Sequence, residues 1–204
     1  LIAIDLSDPR MPNSLGAMEL VDDVSHVLFL SEDRLLIVSG AEFSFSTYPA
    51  MLSLYDVSDL SNPVLLGNYG SSFFGGVGEE NNAFAWNPVT NILVAPLGQS
   101  DRGKVDVDGD GYPEADRFYG SKNLAIFDVD LTPEDSNPFT AIGTVTHDDF
   151  LQRSLFVGDS IYSIARDGIQ ATSIDGADAV SLGVRFGDTP ELQTVARDSL
   201  QTHP

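Results

Sequence analysis

A run of acidic residues with regular spacing is the part of this sequence best suited to chemistry. It reads Asp106-Val107-Asp108-Gly109-Asp110-Gly111-Tyr112-Pro113-Glu114-Ala115-Asp116. In a tightly curved loop alternate side chains converge on one point, and a glycine at the sixth position permits the sharp turn. Converging oxygen ligands suit Ca²⁺, which takes about 6–8 of them. The spacing therefore predicts a calcium site.

The predicted calcium ligands are spread over this whole run. They are Asp106, Asp108, Asp110, Tyr112, Glu114 and Asp116. Tyr112 would contribute its backbone carbonyl, and Glu114 would bind directly or through a water molecule. The loop resembles the calcium loops of EF-hands, dockerins and related extracellular repeats, but it has Arg117 where an EF-hand has a bidentate glutamate. Asp116 is expected to substitute. The alternative is a solvated acidic turn without metal.

A phrase that recurs about every 50 residues indicates the scaffold around this loop. An apolar, strand-like stretch ends at an aspartate and is followed by turn residues, with anchors at Asp5, Asp56, Asp128 and Asp175. The longest interval contains an insertion of about 22 residues, whose removal restores the period. After each anchor comes a second apolar stretch with a glycine; these glycines are Gly16, Gly67, Gly143 and Gly183. Two more apolar stretches lie between anchors. Four short strands per unit at this period are typical of a β-propeller blade.

The predicted fold is all-β, a β-propeller of four-stranded antiparallel blades over residues 1–187, with about 3.5 blades present. Residues 99–123 form the insertion that carries the calcium-type loop. The sequence begins at what is expected to be the third strand of a blade, so we expect a larger propeller whose remaining blades, or neighbouring domains, lie outside these residues. Residues 188–204 are expected to form a tail or short helix, because Thr189 can cap a helix and Pro190 suits its first turn. The alternative is that they return to complete the first blade.

The repeat phrase resembles two related bacterial families. Residues 54–64, from Leu54-Tyr55-Asp56-Val57-Ser58-Asp59 to Asn62-Pro63-Val64, resemble the LVIVD repeat. Residues 82–88, 124–129 and 153–162 are similar to secreted bacterial proteins with a C-terminal β-propeller domain distantly related to WD40 repeats. This resemblance covers roughly residues 1–187 and implies a secreted or cell-surface location. It implies no set of catalytic residues.

Bulk composition limits the classes of partner. The net charge is −21 and the pI is near 4.1, so the surface repels nucleic acid and anionic membranes. The sequence has no cysteine, which excludes disulfides, thiolate metal sites and cysteine nucleophiles. No apolar stretch approaches the length of about 18 residues that a membrane-spanning helix needs. We therefore expect neither nucleic-acid binding nor membrane insertion.

Aromatic residues concentrate in connections that should share one face of a propeller. The loops between second and third strands lie on the same side as the links from one blade to the next. The candidate ligand face consists of Phe43, Phe45, Tyr48, Phe73, Phe74, Phe118 and Tyr119, with Tyr112 nearby. Clustered aromatic loops suit a protein or glycan ligand. The alternative is that these rings only cover the ends of the blades.

Together these features predict a non-catalytic, calcium-stabilised interaction or scaffold module of a secreted or cell-surface bacterial protein. The main alternative is a hydrolase or lyase that acts on polysaccharide or peptide at the central funnel. His147, followed by Asp148 and Asp149, is the one histidine beside acids and the candidate base for that alternative. A purely structural spacer is the third class. Arg153 is expected to form an ion pair with Asp159 or Asp167.

Overall fold

Short runs of β-branched and aliphatic residues become strands throughout the computed structural model. It describes residues 1–20, 24–39, 50–71, 83–96, 102–105, 115–118, 121–134, 137–174 and 182–186. The strands are β1 (Ile2–Asp5), β2 (Asn13–Ala17), β3 (Val24–Phe29), β4 (Arg34–Ser39), β5 (Ala50–Asp56), β6 (Val64–Ser71), β7 (Ala85–Asn87), β8 (Ile92–Pro96), β9 (Arg102–Val105), β10 (Ala115–Phe118), β11 (Asn123–Val129), β12 (Phe139–Thr146), β13 (Leu151–Val157), β14 (Ser160–Ala165), β15 (Gly168–Ser173) and β16 (Leu182–Arg185). No α-helix occurs in these ranges.

Three antiparallel sheets of four strands form the body of the structure. The first blade has the order β3-β4-β5-β6, the second β7-β8-β11-β12, and the third β13-β14-β15-β16. Two hairpins, β1–β2 and β9–β10, stand as two-stranded pairs. The predicted all-β fold of four-stranded antiparallel blades is confirmed.

The β9–β10 hairpin belongs to the predicted insertion. It lies in sequence between β8 and β11, which are adjacent strands of the second blade, so the insertion joins a second strand to a third. Its register places Ala115 opposite Val105 and Phe118 opposite Arg102. Residues 106–114, which hold most of the calcium-type motif, connect the two strands.

Apolar side chains between neighbouring blades form the core. Leu36 and Leu54 of the first blade pack in one cluster with Leu93 and Phe127 of the second, and each of these four is completely buried. A second cluster joins the second blade to the third, with Ile161 of β14 among its buried members. Burying one such side chain contributes about 1.5–3 kcal/mol. The blades are therefore held face to face by the alternate residues of each strand.

Polar side chains add bonds between neighbouring blades. The indole N–H of Trp86 in the second blade donates to the carbonyl of Leu30 in the first, at 2.9 Å. In the opposite direction, Nε of Arg34 donates to the carbonyl of Leu131 at 2.5 Å. The Ser154 hydroxyl of the third blade donates to the carbonyl of Ala83. Backbone carbonyls that lie just outside the strands thereby gain partners that fix one blade on the next.

Repeated aspartates shape the turns that follow β1 and β5. Asp5 and Asp56 each accept a hydrogen bond at 2.8 Å from the backbone amide two residues on. Hydrogen bonds from Ser58 lower the pKa of Asp56. In the same two turns the aspartates of the Ser-Asp phrases, Asp8 and Asp59, accept the amides of Arg10 and Ser61 at 3.0 and 2.9 Å, so side-chain oxygens stabilise both turns.

A repeated backbone bond shows that the fourth anchor is displaced. In each blade, the backbone amide of the residue after the anchor donates to the last carbonyl of the turn between the first and second strands. These bonds join Val57 to Asp33, Val129 to Asn91 and Ile174 to Asp159, at 2.9, 2.9 and 3.0 Å. Ile174 therefore takes the place of Val57, and Ser173, not Asp175, is the anchor position of the third blade. The prediction from spacing was wrong by two residues, because a buried apolar residue, not the carboxylate, defines this position.

The fourth glycine is displaced as well. Gly16, Gly67 and Gly143 each lie opposite the residue two before the anchor. In the third blade Leu182 holds that place opposite Ala171, and Gly183 pairs with Gln170 instead. The expected equivalence of Gly183 with the other three glycines is therefore wrong.

Candidate functional site

Three connections meet on one side of the second and third blades. The insertion ends at Ser121 and Lys122, whose carbonyls accept bonds from the amides of Leu151 and His147 at 2.8 and 2.9 Å. Residues 147–150 link the second blade to the third, and the carbonyl of Phe150 in this link accepts a hydrogen bond from the backbone amide of Arg166. The expected meeting of second-to-third-strand loops with interblade links is confirmed here. Any loop carried by the insertion starts from this side.

His147 lies at the centre of this junction and is almost completely buried, with 3% of its surface exposed. Its Nε2 is 2.8 Å from the hydroxyl oxygen of Ser163 on β14, and its Nδ1 is 3.3 Å from Oδ1 of Asp167. The second oxygen of Asp167 accepts the backbone amide of Asp148 at 3.0 Å. One imidazole thus joins the interblade link, the second strand and the following turn of the third blade.

The hydrogen bonds around the ring are consistent with a neutral imidazole. Nε2 of His147 and the Ser163 hydroxyl share a hydrogen bond, and this hydroxyl also lies 3.4 Å from the carbonyl of Gln170. The side-chain amide of Gln170 approaches Nδ1 of His147 to 3.5 Å, and Oδ1 of Asp167 lies 3.3 Å from the same nitrogen.

Burial sets the protonation of His147. Desolvation lowers the pKa of His147 from its ordinary value of 6.5, although the carboxylates of Asp167 and Asp148 act in the opposite direction. The neutral ring is therefore the form present at pH 7. A proton added at Nδ1 in acid would face Oδ1 of Asp167.

Ser163, His147 and Asp167 have the residue types of a nucleophile, base and carboxylate triad. Ser163 is 0% exposed and lies within β14, beneath the packed junction. A nucleophile must reach its substrate, and this hydroxyl has no access to solvent. The arrangement therefore acts as a polar brace inside the third blade.

A pocket of about 290 Å³ adjoins the brace. It is lined by both Asp148 and Arg185, whose side chains form an ion pair at 2.5 Å and are 68% and 67% exposed. Gln170 also lines the pocket and donates to the carbonyl of Thr146 at 2.9 Å. The pocket is polar and open, and its Asp148 and Arg185 side chains are already paired with each other.

Phe150 supplies an aromatic surface on the same side. Nζ of Lys122 lies 5.3 Å from the centre of its ring, and the guanidinium carbon of Arg166 lies 5.6 Å from it. Contacts of this kind stabilise by about 0.5–1 kcal/mol at exposed sites. They tie the end of the insertion to the turn between β14 and β15.

Most of the site residues expected from the sequence lie outside the described residues. These are Asp106, Asp108, Asp110, Tyr112 and Glu114 of the calcium-type loop, and Phe43, Phe45, Tyr48, Phe73, Phe74 and Tyr119 of the candidate ligand face. The backbones of Asp116 and Phe118 belong to β10, opposite Lys104 and Arg102. Within the described ranges no group of three His, Cys, Asp or Glu side chains is placed to hold a metal ion.

The sequence did not reveal the partners of His147. Asp167 pairs with His147 and not with Arg153, so the ion pair expected for Arg153 is wrong as far as Asp167 is concerned. The available signal was a histidine in an interblade link, followed by a strand with an inward serine and an Asp-Gly turn.

Within the part of the chain that the structure describes, no helix has the length and apolar character needed to cross a membrane.

Comparison with known families agrees with the blade architecture. The model of a family described as beta propeller domain matches residues 1–177. The chain belongs to this beta propeller domain family. The match includes all three blades up to the end of β15, the β1–β2 hairpin and the insertion. No curated protein matches the chain.

Proposed function

We propose that this chain is a non-catalytic, calcium-stabilised interaction module of a secreted or cell-surface bacterial protein. The observation that carries the proposal is the position of the acidic motif. Residues 106–114 connect β9 to β10, and the pairing of Val105 with Ala115 brings the two ends of the connection together. A calcium loop requires its ends to be close, because ligands from both halves bind one ion.

The charge of the motif also supports a bound cation. Asp106, Asp108, Asp110 and Glu114 fall within nine residues of a chain whose net charge is already −21. Like charges at such spacing repel one another unless protons or a cation compensate. Calcium would order the tip of the insertion, which leaves the blades where Lys122 bonds to His147.

Asp116 has a separate place in this proposal. It lies in β10 one residue beyond the closing pair, opposite Lys104, and so belongs to the strand ladder. We therefore expect Asp116→Ala to weaken calcium binding less than Asp108→Ala does.

Calorimetric titration of chelator-treated protein with Ca²⁺ tests the proposal. Saturable binding of one ion, lost in both Asp108→Ala and Asp110→Ala, is the expected result. Asp159→Ala is the matched control, because Asp159 is an exposed acid in a turn of the third blade. Absence of saturable binding, or equal binding by all variants, would refute the calcium site.

The partner proposed for the aromatic loop face is a protein or a glycan. Clustered rings bury large areas on binding, and exposed aromatic patches mark interaction surfaces. Radical footprinting of Phe43, Phe45 and Phe73 decides whether these rings are accessible; if all three are protected in the free protein, the ligand-face proposal fails. Binding to defined glycan and peptide arrays should then fall in Phe43→Ala and Phe73→Ala but not in Val89→Ala, since Val89 lies on an exposed turn between β7 and β8.

A further inference from the structure

The polar pocket of about 290 Å³ beside the brace lies where the second blade passes to the third. It is lined by Thr146, which ends β12, by His147 and Asp148 of the link, and by parts of β15 and β16. Gly168 of β15 pairs with Arg185 of β16, so strand pairing holds these two lining residues in place. The shape of the pocket therefore depends on the framework of the third blade and not on a loop alone.

The lining of this pocket has more negative than positive charge. Asp148 and Asp167 contribute two carboxylates, and Arg185 is the one cationic side chain among the described residues that line it. Burial lowers the pKa of His147, so its ring adds no positive charge at pH 7. The whole chain carries a net charge of −21. A concave site of this charge attracts a cation and repels an anion.

Asp167 provides the negative charge that Arg185 leaves uncompensated. Its Oδ2 accepts the amide of Asp148 at 3.0 Å, and its Oδ1 is buried without a hydrogen bond from the part of the chain that the structure describes. Buried acceptors in folded proteins nearly always have a donor, and an exception calls for an explanation such as a bound ion. Oδ1 itself is covered, so Asp167 acts on a bound cation through its charge at short range.

The chain's own Arg185 indicates which kind of cation fits. Its Nη2 donates to Oδ2 of Asp148 at 2.5 Å, with the two side chains 67% and 68% exposed. A guanidinium and a carboxylate match each other through two parallel hydrogen bonds, but here one nitrogen meets one oxygen. Exposed ion pairs of this kind are weak, so Arg185 is easily displaced. Asp148 therefore remains available to a second guanidinium.

Gln170 adds a neutral acceptor to the same lining. Its side-chain nitrogen donates to the carbonyl of Thr146 at 2.9 Å, which fixes the orientation of the amide. The oxygen of this amide accepts no hydrogen bond from the residues that the structure describes. A guanidinium has five N–H donors and no acceptor, so a carboxylate and an amide oxygen together suit it.

We propose that this pocket binds a guanidinium group, supplied by an arginine side chain of a partner protein or by a small guanidino compound. Asp148 and Gln170 accept its hydrogen bonds, and Asp167 adds negative charge at the floor. Arg185 is then a competitor for Asp148 and not a ligand-binding residue. The inference depends on neither the calcium loop nor the aromatic loop face.

Titration with Nα-acetyl-arginine amide, followed by two-dimensional NMR, tests the proposal. Binding should be saturable and should shift the side-chain amide signal of Gln170. Asp148→Asn should weaken binding about tenfold, because a charge-assisted hydrogen bond is lost. Arg185→Gln should strengthen it about threefold, because the substitution frees Oδ2 of Asp148 and removes a like charge. A gain in affinity cannot result from misfolding.

Two variants that remove the same charges elsewhere serve as matched controls. Asp159→Asn and Arg10→Gln change exposed residues that do not line the pocket, so both should bind like the unmodified chain. Nα-acetyl-citrulline amide has nearly the shape of the arginine probe without its charge and should not bind.

The source of the guanidinium is decided by probe length. Tighter binding of a Gly-Arg-Gly peptide than of methylguanidine supports an arginine of a partner protein, and equal binding supports a small guanidino compound.

Three results would overturn the proposal. Loss of binding in Arg185→Gln would show that the pocket takes an acceptor group through Arg185. Equal binding of the citrulline probe would show that charge is not recognised. Unchanged affinity in Asp148→Asn would show that the probe binds elsewhere.

Discussion

Replacing His147 by alanine should destabilise the third blade by an amount that the structure allows us to work out. The change removes the 2.8 Å bond to Ser163, which is completely buried, and leaves that hydroxyl without its ring partner. An unsatisfied buried polar group costs about 1–3 kcal/mol. Loss of a ring from a buried position adds a cavity term, so we expect a total decrease of about 2–4 kcal/mol in the free energy of unfolding.

A double-mutant cycle separates the hydrogen bond from the cavity. Ser163→Ala alone removes one partner, and the double variant removes both, so the double variant should cost less than the sum of the singles by about 1–2 kcal/mol. The control is Asp148→Ala, which breaks an ion pair that is 68% exposed on the aspartate side and should cost less than about 1 kcal/mol.

Urea unfolding followed by tryptophan fluorescence measures the unmodified protein and the four variants. Trp86 is the single tryptophan, and its indole bonds the first blade to the second, so its emission reports on blade separation. If His147→Ala costs no more than Asp148→Ala, or if the two brace substitutions are additive, the buried hydrogen bond contributes nothing and the interpretation of the brace is wrong.

Three further predictions follow from pKa directions, close packing and the proposed metal. Burial lowers the pKa of both His26 and His147, so the unfolded chain takes up protons before the folded chain as pH falls. The free energy of unfolding should therefore drop as pH falls below about 6.5. A double variant with both histidines replaced by glutamine should flatten that part of the stability curve measured by urea unfolding. An unchanged slope would contradict these pKa directions. Gly67→Ala should lower the free energy of unfolding in urea by about 1–3 kcal/mol, because an added Cβ would collide with the ring of Pro138. Gly70→Ala is the control, since a Cβ there meets no atom within 4 Å and should leave that free energy unchanged. Equal effects of the two substitutions would refute this packing argument. Removing calcium with a chelator should lower the melting temperature and expose the insertion to protease. Added Ca²⁺ should restore the melting temperature and the protease resistance, whereas Mg²⁺ should not, since Mg²⁺ demands a smaller octahedral site. No change on chelation would argue against a stabilising ion.

The location of the strands could be predicted from the sequence with little help from context. Runs such as Leu35–Val38 and Leu124–Phe127 combine β propensity with full burial, and they recur at one period. Hairpin connections between them leave four-stranded antiparallel sheets as the solution. The position of the insertion between β8 and β11 followed from the same count.

Register was less predictable than the existence of strands. The phrase at Asp175 looked like the other anchors, yet the structure aligns Ser173 with Asp56 because the buried position of Ile174 matches that of Val57. A side-chain pattern of period two tolerates a shift of two residues without changing which face is apolar. Only the pairing of strands removes that ambiguity.

The acidic loop and the brace mark the boundary between local and tertiary information. The sequence alone determined the Asp106–Asp116 motif, because its acidic residues, the proposed calcium ligands, are close along the chain and their spacing is the signal. Only the tertiary structure decided that His147, Ser163 and Asp167 meet, since three connections must fold onto one another before a ring from the link reaches β14. It also decided that Ser163 is buried and braces the blade, because burial depends on the sheets packed around a residue and not on its neighbours in sequence.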